Sequence, residues 1–244
     1  MKARALALLS AVCALGASCT PAASAAAADD DKADLKLTLG HYASSDGNTG
    51  LDANLRATRG AHVAWIGFYR EQAGYRQART GYEFHVSGDV LRPVLSLQAA
   101  SGGAWVGSVS TEIGGATYLL AGWGRTNVRN YVNLNYDPND AITLGLGTRA
   151  FAGTELSLFS VHDDRLHTGQ QVTHVVLRRR FEDAQRFSLD VFEKRGLTSD
   201  DEQIRSVSVS VGYDRGPLFV RFTHDPHAGF ATPTQNRFSF GYRF

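Results

Sequence analysis

The chain has 244 residues, of which 43% are hydrophobic and 20% charged, with a formal net charge of +1 and a mean hydropathy of −0.21. That apolar content excludes a disordered chain, the near-zero charge argues against a nucleic-acid partner, and after the N-terminus no stretch approaches the ~18 consecutive apolar residues of a helical membrane span. The length suits one barrel as well as one or two ordinary domains.

The first element is a targeting segment. Lys2 and Arg4 precede an apolar run from Ala5 to Ala17, and Ala23-Ser24-Ala25 reads as a small-residue cleavage site. Residues 1–25 are therefore predicted to be a cleaved export signal. A lipoprotein signal ending at Cys19 is the rival, but Gly16-Ala17-Ser18 lacks the usual leucine three positions before the cysteine. Cleavage near Ala25 removes both Cys13 and Cys19, which leaves no thiol for a disulfide, a thiolate metal site or cysteine catalysis. Residues 26–34, with Asp29, Asp30, Asp31 and Asp34, read as a solvated acidic leader.

From residue 35 to residue 244 the pattern has a period of two rather than 3.6, which predicts a single all-β domain. Between Leu51 and Glu71, Arg59-Gly60-Ala61 reads either as a turn or as a bulge. Further on, Glu83 and His85 alternate with Tyr82, Phe84 and Val86, and Arg92, Ser96 and Gln98 alternate with Leu91, Leu95 and Leu97. Asn133 and Asn135 alternate with Val132, Leu134 and Tyr136. Thr143, Gly145, Gly147 and Arg149 face away from Ile142, Leu144 and Leu146. Ser206, Ser208, Ser210 and Gly212 face away from Val207, Val209, Val211 and Tyr213. Arg237, Ser239, Gly241 and Arg243 alternate with Phe238, Phe240, Tyr242 and Phe244.

Turn chemistry separates these runs at Asp46-Gly47-Asn48, Ser101-Gly102-Gly103, Gly114-Gly115, Asp137-Pro138-Asn139-Asp140, Glu182-Asp183-Ala184 and Asp214-Arg215-Gly216-Pro217. Longer connectors fall near His162–Gly169, Gly196–Glu202 and Asp225–Thr234. In the last third, short and long connectors alternate, as in an antiparallel up-and-down barrel. The candidate strands number about fifteen, and an even count is expected of such a barrel, so about 14 is favoured and 12 is the alternative.

One face of these strands is rich in rings and aliphatic chains; the other carries Gly, Ser, Thr, Asn and Arg. A soluble sandwich would turn its large apolar residues to one core. The opposite arrangement suits lipid outside and water or a polar network inside. Aromatics near predicted strand ends, Trp65, Tyr69, Trp105, Trp123, Tyr131, Tyr136, Tyr213 and Tyr242, are expected to form interfacial girdles. The final strand, Asn236 to Phe244, ends on an aromatic residue, with rings at alternate positions before it. In this it resembles the closing strand of Gram-negative outer-membrane β-barrel proteins. The resemblance implies a bacterial outer-membrane location. It also implies recognition of Phe238, Phe240, Tyr242 and Phe244 by the barrel-assembly machinery.

The charged residues of the polar face are the functional candidates. Parity turns Arg56, Arg79, Glu83, Arg92, Glu112, Arg129, Arg149, Arg178, Arg180, Arg186, Asp190, Arg221 and Arg237 toward the lumen, along with Glu155 and Arg243. Charge on the lipid face would cost about 2–4 kcal/mol at midplane. Arginine is a fixed-charge donor fork for carboxylates and phosphates. Two readings follow: a pore lining for small polar or anionic solutes, or an internally paired network that props an occluded structural or docking barrel. Arg179, between two inward arginines, is expected at the rim, against lipopolysaccharide phosphates.

Val161-His162-Asp163-Asp164-Arg165-Leu166-His167 has metal-ligand residue types but a common surface composition, so no metal and no cofactor is expected. The segment from His224 to Pro233 is similar to the motif before the last strand of outer-membrane lipid A 3-O-deacylases: His224, Ala228, Gly229 and Pro233 match. Pro226 stands at the nucleophile position and His227 at the asparagine position. Without a hydroxyl there, serine-type acyl transfer has no nucleophile. The expectation is a non-enzymatic, porin-like channel whose partners are membrane lipids, lipopolysaccharide, the assembly machinery and small solutes.

Overall fold

The computed structural model describes residues 33–129, 131, 137–181, 184–198 and 200–244. The export signal, nearly all of the acidic leader, the alternation over 132–136 and the Glu182-Asp183 part of one expected turn lie outside the described residues.

Strands β1 (Asp34–Ser44), β2 (Thr49–Arg59), β3 (His62–Glu71), β4 (Arg76–His85), β5 (Leu91–Ala100), β6 (Ala104–Gly114) and β7 (Thr117–Thr126) form the first half. Strands β8 (Ala141–Phe151), β9 (Thr154–Asp163), β10 (Gln171–Arg180), β11 (Gln185–Leu197), β12 (Gln203–Arg215), β13 (Leu218–Asp225) and β14 (Gln235–Arg243) form the second. Each strand pairs antiparallel with its sequence neighbours, and β1 pairs with β14, giving a closed barrel of 14 strands. Closure leaves no sheet edge to be satisfied by water or by another chain. The seam ends in reciprocal bonds between Leu35 and Phe244, at 2.9 and 3.0 Å.

The two rims differ in their connections. At one, called here the turn rim, β2–β3, β6–β7, β8–β9 and β12–β13 are joined by two-residue turns, and both strand-bearing chain ends lie there. Gly60 (φ 55°) and Gly216 (φ 56°) supply the left-handed backbone that two of these turns require. Arg59-Gly60-Ala61 is thus a turn between β2 and β3, not a bulge. Among the described residues the one register shift falls in β8, between Thr148 and Phe151. The opposite, loop rim carries the longer connectors, including residues 127–140, 164–170 and 226–234; the last holds a single 3-10 turn, Ala228–Phe230.

Register separates the two faces. Leu37, Leu55, Ile66, Leu97, Leu144 and Val207 stand on the outer face, with Ile66, Leu97, Leu144 and Val207 each at least 60% exposed. The alternate positions turn inward, where side chains on non-adjacent strands reach each other, as Arg149 on β8 reaches Glu112 on β6. Only the concave side of a barrel permits such contacts.

The expected aromatic girdles divide. Trp105, Trp123, Tyr213 and Tyr242 are exposed on the outer face. Trp65 and Tyr69 instead turn inward: Trp65 lies opposite Arg56 and Gly81, and Tyr69 opposite Asp52 and Gln77. A Cβ on Gly81 would lie 2.5 Å from the Trp65 indole, so the missing side chain is what admits the ring. Tyr69 meets Tyr42 edge-on at 5.5 Å, and Tyr131 is buried on the loop after β7. Position parity, not residue type, decides the face an aromatic takes, and Tyr136 lies outside the described residues.

Candidate functional site

The inner wall has two zones. Toward the turn rim runs a belt of charge. On β2 and β4, Arg56 donates to Glu83 at 2.5 Å, and the His85 imidazole lies 3.0 Å from the same carboxylate. On β5 to β10, Arg92–Glu112, Glu112–Arg149, Arg149–Glu155 and Glu155–Arg178 form a continuous chain of ion pairs. Its centre is ordered by Tyr118, whose hydroxyl donates to Glu155 at 2.6 Å and whose ring lies 4.2 Å beneath the Arg149 guanidinium. On β11 to β14, Arg186 and Arg243 share Asp214, at 2.6 and 2.7 Å.

Two inner-face cations in this zone, Lys36 and Arg221, form no ion pair among the described residues. Both lie near the ring of Phe219, at 4.9 and 5.5 Å from its centroid. The belt thus holds eight basic side chains (Lys36, Arg56, Arg92, Arg149, Arg178, Arg186, Arg221, Arg243) against four carboxylates (Glu83, Glu112, Glu155, Asp214). Arg221 is exposed although it points into the barrel, so the wall there faces an accessible space.

Toward the loop rim the inner side chains are buried. Asp52 and Arg79 form a close ion pair. Arg237 lies over the Tyr42 ring at 5.1 Å. His174 is stacked between Phe159 (4.6 Å) and Phe192 (5.0 Å). Its Nε2 lies 2.8 Å from Asp137 and its Nδ1 3.0 Å from Asp190. For both contacts to be hydrogen bonds, both ring nitrogens must donate.

Two loops are drawn in by this packing. Tyr131 donates to Gln98 on β5 at 3.2 Å, and Asp137, from the same loop, meets His174 on β10. The loop after β13 is held by Lys194, which is fully buried: its Nζ donates to Asp225 at 2.5 Å and to the His227 carbonyl at 2.9 Å. Ser208 donates to the other oxygen of Asp225 at 2.8 Å. Phe230 of that loop packs against Val172, Phe192 and Ile204.

Of the residues selected by parity, all but one lie on the inner face, with Arg180 exposed at the turn rim. Arg129 is the exception. It directly follows Val128, whose backbone is left-handed, in the loop after β7, and is exposed beside Gly103. Its strand had already ended at Thr126, so parity no longer applied. Sequence reasoning missed Lys36, Asp52, His174, Lys194, Asp214 and Asp225. The same alternation that selects Arg186 and Asp190 selects Phe192 and Lys194, and the signal was therefore present.

The two motif candidates resolve into structure. Both carboxylate oxygens of Asp163 accept hydrogen bonds from within its own loop: from the backbone N–H of Arg165, Leu166 and Thr168 and from the Thr168 hydroxyl. Asp164 is engaged by Arg125, and no cluster of three or more metal-ligating side chains occurs among the described residues. His224 lies on the outer face, opposite Asn236, with Nδ1 2.8 Å from its Oδ1. His227 contacts the Ala231 carbonyl. Neither of these contacts is with a hydroxyl.

A closed antiparallel barrel, apolar outside and charged within, is the fold of outer-membrane β-barrel proteins, and the chain has that fold. Among solved structures it is similar to the Acinetobacter baumannii outer membrane protein Omp33, with a TM-score of 0.59 at 7% identity over 86% of this chain and 98% of that one. Weaker similarities are to the KdgM porin (TM-score 0.48, 8% identity, 86% and 99% covered) and to a mutant of the Rhodopseudomonas blastica porin (0.46, 9%, 87% and 99%). No protein-family profile and no curated protein matches the sequence.

Proposed function

We propose that the protein is an integral protein of the bacterial outer membrane that forms a passive channel preferring small anionic solutes. The observation that supports this most directly is the excess of inner-face cations over carboxylates in a belt where Arg221 remains accessible. Fixed guanidinium charge on a low-dielectric wall concentrates anions and repels cations. Chain ends and short turns would face the periplasm, as short turns do in outer-membrane barrels generally. Arg179, outward at that rim, would then sit among inner-leaflet phosphates rather than at lipopolysaccharide. No catalytic step is proposed, because the nucleophile position of the one enzyme motif the sequence resembles is held by Pro226, which has no hydroxyl.

A second reading rests on the buried zone near the loop rim. If Tyr131, His174, Lys194 and Phe230 seal the lumen, the barrel is a structural or docking element of the envelope. Planar-bilayer recording separates the two. The channel reading expects steady unitary current and a reversal potential toward that of chloride in a KCl gradient. A folded, heat-modifiable protein that stays silent would overturn it.

A further inference from the structure

We propose that the β13–β14–β1–β2 wall carries a discrete binding subsite for an oxyanion of two or more negative charges, a phosphate or a cluster of carboxylates. This deepens the channel reading and rests on it for its biological meaning, though not for its geometry. Register sets Arg243, Lys36 and Arg56 side by side: Lys36 lies directly opposite both, all three turned inward. Arg221 comes from the next strand, opposite Ser239 and Gly212, and lies over the same Phe219 ring as Lys36 and Arg243.

Like charges directly opposite each other in a sheet are destabilising, so an inward row of basic groups needs compensation. Carboxylates supply part of it: Glu83 serves Arg56, and Asp214 serves Arg243. For the rest an aromatic face stands in. Phe219 is almost wholly buried, its ring occupying the space beside Gly241, where a Cβ would fall 1.9 Å from it. Lys36, Arg221 and Arg243 all lie over that ring, at 4.9, 5.5 and 4.9 Å. A ring face attracts cations but occupies none of their N–H donors. Among the described residues Lys36 and Arg221 therefore donate to no side-chain or backbone acceptor, and Arg221 is exposed. Such an arrangement suits a multivalent oxyanion, which would both neutralise the row and accept several charge-assisted bonds. A monovalent halide would do neither as well.

The test uses the full-length exported protein, purified in detergent, with inorganic phosphate and citrate titrated separately by calorimetry. Saturable binding of either supports the subsite, and which of the two saturates identifies phosphoryl or polycarboxylate as the source. Arg221→Ser and Lys36→Gln are each expected to weaken binding by about tenfold or more. Arg205→Ser, which removes an exposed ion pair on the outer face, is expected to leave it unchanged. Two variants guard against one failing to fold, and heat-modifiable migration confirms that each has folded.

No saturable binding of either probe, or an equal loss in Arg205→Ser, would overturn the subsite. In bilayers, the bound probe is expected to block KCl current at the concentrations that saturate the calorimetry. Binding without any current would retain the subsite and reject the channel. Current without binding would retain the channel and reject the subsite.

Discussion

Lys194 is a cation with no exposure to solvent. Its ammonium is removed from water and satisfied by Asp225, the His227 carbonyl and the faces of Phe192 and Phe230. Replacing it with methionine keeps the volume but leaves the Asp225 carboxylate buried with only Ser208 and the His227 N–H as donors. Breaking a buried pair from one side costs about 3–5 kcal/mol, whereas replacing both partners with apolar groups is often close to neutral. Lys194→Met is therefore expected to lower the urea midpoint markedly, and Lys194→Met with Asp225→Leu to recover most of the loss. Equal midpoints for wild type and the single variant would show that the pair holds nothing.

Gly241 makes a steric counterpart. Alanine there would collide with Phe219 and approach the Leu37 carbonyl within 2.6 Å. Overpacking of this kind costs about 1–3 kcal/mol. Gly241→Ala should destabilise the barrel by that amount in equilibrium unfolding, and adding Phe219→Leu should restore part of it by vacating the space.

At the level of the strand, period two does nearly all the work, and this explains what the sequence disclosed. Alternation along β14 or β12 names the inner face residue by residue, because a one-residue slip would turn every charged group into lipid. The inward arginines on the strands follow from it, whereas the count of 14 needs the even-number rule as well, and alternation alone leaves Arg59-Gly60-Ala61 open between a turn and a bulge. Parity loses its meaning where a strand ends, as at Arg129. Nor does it report which side chains a loop brings back into the barrel. Asp137 and Phe230 are remote in sequence from His174 and Lys194, and no local pattern links them.

Ring chemistry alone favours an interfacial site for Trp65, but its register opposite Gly81, which only the folded sheet reveals, turns the indole inward. The outer face offers its own test. Leu144 lies near the middle of β8 and is 60% exposed. Leu144→Arg should cost about 2–4 kcal/mol of folding stability in lipid vesicles. An arginine at Ser96, on the inner face of β5, should cost far less. Equal penalties at the two positions would mean that hydrocarbon does not surround the barrel.

Over the whole molecule the formal charge is only +1, so any selectivity must come from how charge is distributed and not from its sum. The described carboxylates on the turn-rim belt are each shared by basic partners: Glu112 serves Arg92 and Arg149, Glu155 serves Arg149 and Arg178, and Asp214 serves Arg186 and Arg243. A shared carboxylate neutralises one partner and leaves the other's field reaching into the lumen. That field is screened over about 10 Å in 0.1 M salt but only about 3 Å in 1 M. Anion preference is therefore expected to be pronounced in dilute KCl and largely lost in molar KCl, while unitary conductance rises with ion concentration. Preference measured from reversal potentials at both strengths checks this. A preference indifferent to ionic strength would assign selectivity to steric contact and not to the charge of the belt. Glu155→Gln sharpens the comparison: it removes one shared carboxylate, so the dilute-salt anion preference should rise while the molar-salt value stays put.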